Sequence, residues 1–140
     1  MVRKRYEIHV WGTVLFLDVG SSALSEAAMD AAVESVKKFV YGVDEDFSTY
    51  KDGSFVSRLR CGEILIDACP DDVQEVWGLC AIARDLTDGA FDPWAVAGGF
   101  DPSGYVKGWA ADRVAQILMT AGCEHIQANA AGDLTLRGGI

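Results

Sequence analysis

The chain has 140 residues, with 21 acidic against 12 basic side chains and a formal net charge of −9. That surplus excludes an electrostatically driven hold on nucleic acid or anionic lipid. A chain of this length buries roughly 65 to 70% of its unfolded surface, which suits one core and not two independent domains, so residues 1–140 are expected to form a single domain.

In chain order, Met1-Val2-Arg3-Lys4-Arg5 leads directly into alternation and not into the apolar h-region of a signal peptide, so the expected location is the cytoplasm. Tyr6, Ile8 and Val10 alternate with polar neighbours, and Val14-Leu15-Phe16-Leu17 is apolar on both faces. Arg5 to Val19 is therefore predicted as one long strand entering a core. A helix is predicted from about Leu24 to Tyr41, because Met29, Ala32, Val33, Val36 and Val40 form one apolar stripe opposite Asp30, Glu34, Lys37 and Lys38. Gly42 to Arg60 is polar and turn-rich, and Glu63 to Asp67 reads as a short strand.

Pro70 marks a second helix start, with Asp71 and Asp72 in the first turn, where carboxylates favour the dipole. This helix runs through Val73, Val76, Trp77, Cys80 and Ala83 and stops at Asp88-Gly89. A third helix carries Val106, Ala110, Val114, Ile117 and Leu118 on one face and ends at Gly122. Strands are predicted at His125 to Ala128 and Asp133 to Arg137. The mixture predicts an α+β fold, with helices laid on a mainly antiparallel sheet. The four cysteines, Cys61, Cys69, Cys80 and Cys123, have no C-x-x-C spacing and lie in apolar surroundings, so they are expected as buried free thiols, with a metal or redox role as the alternative.

The stretch from Thr87 to Asp112 breaks this pattern with two Phe-Asp-Pro turns, Phe91-Asp92-Pro93 and Phe100-Asp101-Pro102. A residue before proline is pushed out of the α region, which puts both aspartates on loops. Between them Ala97, Gly98 and Gly99 offer a nearly bare backbone that a ligand can approach closely. Ser103 is placed to cap the next helix, whose first turn, Gly104 to Gly108, exposes unpaired N–H groups and the ammonium of Lys107. Such a start suits an anion, phosphate above all. A glycine-rich surface connection fits the same composition.

The segments TDGAFDP, DPSGYVKGWAADR and NAAGDLTLRG resemble successive signatures of the FAD:protein FMN transferases, the ApbE-type flavin transferases. Upstream, Trp11-Gly12-Thr13 resembles the family's amino-terminal strand motif, where methionine often stands in place of tryptophan. FSTYKDGSFVSRL resembles its Ser-x-Tyr followed by an acidic-Ser pair, here Asp52-Gly53-Ser54. The short link between the two Asp-Pro turns resembles the compact actinobacterial-type members.

The resemblance implies an ApbE-like, T-fold-like architecture of which this chain is the amino-terminal portion. It implies transfer of FMN from FAD to a threonine or serine hydroxyl of an acceptor protein with release of AMP, and magnesium as cofactor. It aligns Trp11, Tyr50, Ala90, Phe91, Asp92 and Asp101 with FAD contacts, Lys107 with the residue nearest the phosphates, and the Gly104 carbonyl with a metal-site position. The residues themselves leave other roles open: Trp11 and Phe91 also suit a core, Asp92 and Asp101 suit turns, and Lys107 suits a solvated helix face. Asp133 after Ala131-Gly132 resembles the end of the family's Gly-Gly-Asp element.

Members usually continue beyond the point that matches Ile140, with a His-Pro segment near the phosphates and an Asp and a Thr on magnesium. His9 and His125 do not match that histidine and are expected as ordinary strand residues. Leu134 to Arg137, running into Gly138-Gly139, is expected to lack a partner strand and so to favour association of copies. The alternatives to a transferase are a non-catalytic FAD-binding module or truncated remnant, and a hydrolase giving FMN and AMP.

Overall fold

In the computed structural model, which describes residues 1–130 and 133–138, the first two strands form a hairpin. β1 (Val2–Val10) and β2 (Thr13–Ser21) pair antiparallel with Val10 opposite Thr13, so only Trp11 and Gly12 make the turn. Both have left-handed backbones, with φ of 58° and 69°. Two consecutive positive φ values define the turn whose twist matches a hairpin. The single strand predicted over Arg5 to Val19 is thus two strands. The usual Asn-Gly or Asp-Gly signal is replaced by Trp-Gly, and a bulky side chain is a rare occupant of that conformation.

β3 (His125–Ala130) pairs antiparallel with β2, and β4 (Asp133–Arg137) pairs antiparallel with β3. The sheet order is β1-β2-β3-β4. The terminal strand therefore has a partner, the strand before it, and stands at the sheet edge among the described residues. Ala131, Gly132 and Gly139 lie outside the described residues.

α1 (Glu26–Phe47) begins where the Ser25 hydroxyl accepts the Ala28 N–H at 3.1 Å. It extends past the predicted end at Tyr41, because the apolar series Met29, Val33, Val36, Val40 continues at helical spacing to Val43 and Phe47, all buried. Gly42 is exposed and is carried through at a cost of about 1 kcal/mol. The stretch read as turn-rich contains a second helix, α2 (Phe55–Arg60), capped by the buried Ser54 hydroxyl, which accepts the Ser57 N–H at 3.0 Å.

No strand forms over Glu63 to Asp67. Ile66–Ala68 is a 3₁₀ turn and Leu65 is largely exposed, since five residues with no neighbouring strand have nothing to pair with. α3 (Asp71–Leu86) starts after Pro70 as predicted. α4 (Ser103–Ala121) ends at Gly122, φ 115°.

The chain divides into two compact units, one of Met1–Gly42 with Lys107–Ile140 and one of Val43–Val106. In the first, one sheet face (Ile8, Leu15, Leu17, Val19, Ile126, Ala128) joins α1 residues Met29, Val33, Val36 and Val40 and α4 residues Val114, Ala115 and Leu118 in one buried cluster. Each fully buried aliphatic side chain of this kind contributes roughly 1.5–3 kcal/mol.

A polar seam closes the β1 side. Tyr6 donates to Asp30 Oδ1 at 2.6 Å, and Lys4 Nζ reaches Asp30 and Glu26 at 3.0 and 3.1 Å. Buried Ser21 donates to the Gly122 carbonyl and accepts from Ala23 and Leu24, which satisfies it fully. The second unit buries Val56, Val73, Val76, Cys80, Phe100 and Val106. No described helix is long and apolar enough to cross a membrane.

Candidate functional site

The stretch after α3 is built by its own side chains. Thr87 stops the helix by donating its hydroxyl to the Ala83 carbonyl at 2.9 Å, and the same oxygen accepts the Phe91 N–H at 3.0 Å. Asp88 and Gly89 then take left-handed backbones, φ 51° and 83°, and the Gly89 N–H caps the Arg84 carbonyl. Phe91 is thereby fixed at the start of the first Asp-Pro turn. Asp92 Oδ1 accepts the Trp94 N–H at 3.0 Å and Asp101 Oδ1 accepts the Ser103 N–H at 3.0 Å, so each aspartate closes an Asx turn. The two turns are tied together, because the Asp101 N–H donates to the Pro93 carbonyl at 2.9 Å.

Asp101 also corrects the expected cap of α4. Ser103 is the first residue of the helix and gives its hydroxyl proton to Asp101, which sits two residues before it. A carboxylate at a helix start is favoured by the dipole more than a hydroxyl is. Beneath the turns, Trp77, Trp94 and Phe100 stack with centroids 4.7 to 5.3 Å apart, and the Arg84 guanidinium lies 4.6 Å over Trp94. Phe91 leans on the first turn of α4. Its ring is 6.4 Å from that of Tyr105, and a Cβ at Gly104 would stand 3.7 Å from the Phe91 ring.

The structure thus gathers Ala90, Phe91, Asp92, Asp101 and Gly104 around one tied pair of turns, with Lys107 one helical turn beyond Gly104. Ala90 and Gly104 are exposed, and Phe91, Asp92, Asp101 and Lys107 are half-buried. Tyr50 is 96% exposed on a turn where Ser48 Oγ accepts the Tyr50 and Lys51 N–H groups at 3.1 and 3.2 Å. Trp11 belongs to the sheet unit, packed against its core. Its backbone is left-handed, and its buried indole Nε1 has no hydrogen-bond partner among the described residues.

A comparison with protein-family models and with curated sequences gives no match. Solved structures do match. The flavin transferase ApbE of Vibrio cholerae superposes with a TM-score of 0.82 at 17% identity, over 97% of this chain and 59% of that one. The flavinyl transferase ApbE of Pseudomonas stutzeri, in its apo form, gives 0.81 at 16%, over 96% and 57%. The ApbE protein of Thermotoga maritima gives 0.77 at 17%, over 96% and 59%.

The chain has the ApbE flavin transferase fold. It spans somewhat under two thirds of the length of these ApbE structures. The α+β class, the antiparallel sheet and the match to an amino-terminal ApbE portion agree with the sequence reading. The metal is a different matter. Among the described residues no three His, Cys, Asp or Glu side chains cluster as a metal site. Gly104 contributes only a helical carbonyl, and magnesium asks for near-octahedral oxygen donors. The described residues do not by themselves fit the ion.

Two further residues belong to this region of the ApbE fold. Arg60, at the end of α2, donates Nε to the Gly98 carbonyl at 3.0 Å and Nη2 to the Ala97 carbonyl at 3.1 Å. A methyl group built on Gly98 would overlap that guanidinium. The bare Ala97-Gly98-Gly99 backbone, read as room for a ligand, also receives an arginine. Nothing in the sequence pairs Arg60 with a glycine 38 residues later. Thr87 was readable only as part of the TDGAFDP segment, and its double role appears only in three dimensions.

Proposed function

We propose that this chain acts in FAD:protein FMN transfer, passing the FMN half of FAD to a threonine or serine hydroxyl on an acceptor protein and releasing AMP. The observation that carries the reading is the ApbE fold along nearly the whole chain. The tied Asp-Pro turns stand on it where the sequence resembles the family's FAD-contacting segments. In the reaction the acceptor oxygen attacks the flavin-side phosphorus in line. The bond from that phosphorus to the bridging oxygen breaks, AMP leaves with that oxygen, and the hydroxyl proton passes to solvent.

The chain's own share is binding and orientation. Phe91 offers aromatic surface to the flavin. The Asp92 and Asp101 turns hold the backbone it lies against, and Lys107 sets one positive charge near the pyrophosphate in a chain of net charge −9. Lys107→Ala is expected to weaken FAD binding on the order of tenfold at low salt, the loss of one charge-assisted contact. Affinity unchanged in a fluorescence titration would remove the lysine from the site. The described residues do not assemble the donors that magnesium needs.

The second reading is FAD binding or hydrolysis without transfer. Incubation with FAD, magnesium and an acceptor domain bearing a flavinylation site separates the two. AMP release together with an FMN mass shift on the acceptor supports transfer. AMP and FMN with an unmodified acceptor indicate hydrolysis, and intact FAD rejects both activities.

A further inference from the structure

Among the described residues, Arg60 reaches from outside the 87–112 stretch to donate two charge-assisted hydrogen bonds to its backbone. We propose that Arg60 is a positioning residue for FAD, holding the Ala97-Gly98 backbone in the geometry that the cofactor meets. The proposal rests on the reading of this loop as an FAD site.

The loop needs such a hold. Ala95, Val96, Ala97 and Gly98 are all exposed, and Gly98 and Gly99 have left-handed backbones, φ 90° and 99°. Glycine pairs of this kind lose more conformational freedom on ordering than any other residues, and a ligand that must order them binds more weakly. Within the loop, the Gly99 N–H reaches the Val96 carbonyl at 2.9 Å, and the Asp101–Pro93 bond closes its base. Arg60 supplies the anchor at the tip, and Gly98 is the residue that leaves space for it.

The test titrates FAD into wild-type protein and into Arg60→Ala and Arg60→Lys, following flavin fluorescence well below each protein's urea midpoint. Amide exchange at Gly99 and Asp101 is measured in parallel. The expected result is a rise in Kd on the order of tenfold for Arg60→Ala, partial recovery in Arg60→Lys, and faster exchange at both amides in Arg60→Ala alone. FAD affinity equal to wild type in Arg60→Ala overturns the positioning role and leaves the FAD reading standing. Weakened affinity with unchanged exchange overturns it as well, since the arginine would then act as a direct contact. Failure of the wild-type protein to bind FAD overturns the functional reading itself.

Discussion

Asp46 lies in the last turn of α1, the end of a helix that disfavours negative charge, and no basic residue stands in that turn. Its neighbours Asp44 and Glu45 are both met by Lys51. Burial, and then the charges of Asp72 and Glu45, hold the Asp46 carboxyl above the usual aspartate range. A folded value above the unfolded one means the group's favourable contribution is complete below the ordinary aspartate value and is lost as pH rises through the raised one. At neutral pH its ionised form works against folding. Asp46→Asn is therefore expected to raise the urea midpoint at pH 7, with the gain shrinking toward zero below about pH 4, where wild type is neutral too. Unfolding curves at the two pH values check it. Asp92 and Asp101 announce loop positions because proline follows each, whereas the Arg60 partnership depends on a contact that sequence spacing does not encode.

At the level of elements, periodicity located α3 and α4 nearly to the residue, since Pro70, Gly122 and the Asp101-Pro102 pair punctuate them. It misjudged α1 because Gly42 reads as a stop while the apolar series runs on to Phe47. It also missed the hairpin, because both strands are apolar enough to read as one and the turn uses Trp-Gly. Gly12 holds φ 69° with open space around its Cβ position, so an alanine there meets no clash and only the conformational cost. Gly12→Ala is expected to lower stability by about 1–2 kcal/mol, read from the shift in urea midpoint. A change within error would show that the turn adopts another geometry in solution.

For the molecule as a whole, the cysteines give a direct readout of packing. Cys69, Cys80 and Cys123 are buried and Cys61 is exposed, which corrects the expectation of four buried thiols. Cys61 follows α2, where the chain leaves the helix with its side chain outward. Burial raises the thiol pKa of Cys69 and Cys123 and pushes Cys80 up to about 11. A disulfide-exchange reagent at pH 8 should titrate one thiol in the native protein and four after denaturation. More than one fast-reacting thiol in the native state would contradict the burial pattern.

Arg3, Lys4 and Arg5 form a basic run at the start of β1. Among the described residues β1 is a nine-residue strand at the rim of the sheet, the kind of edge that recruits foreign strands into aggregates. Lys4, on the face turned toward α1, is held by Glu26 and Asp30, and Arg3 and Arg5 by Asp18. A strand docking along this rim would have to accommodate three engaged cations. The rim is thus guarded by charge, and the hairpin that opens the chain is protected from becoming a seed for misassembly.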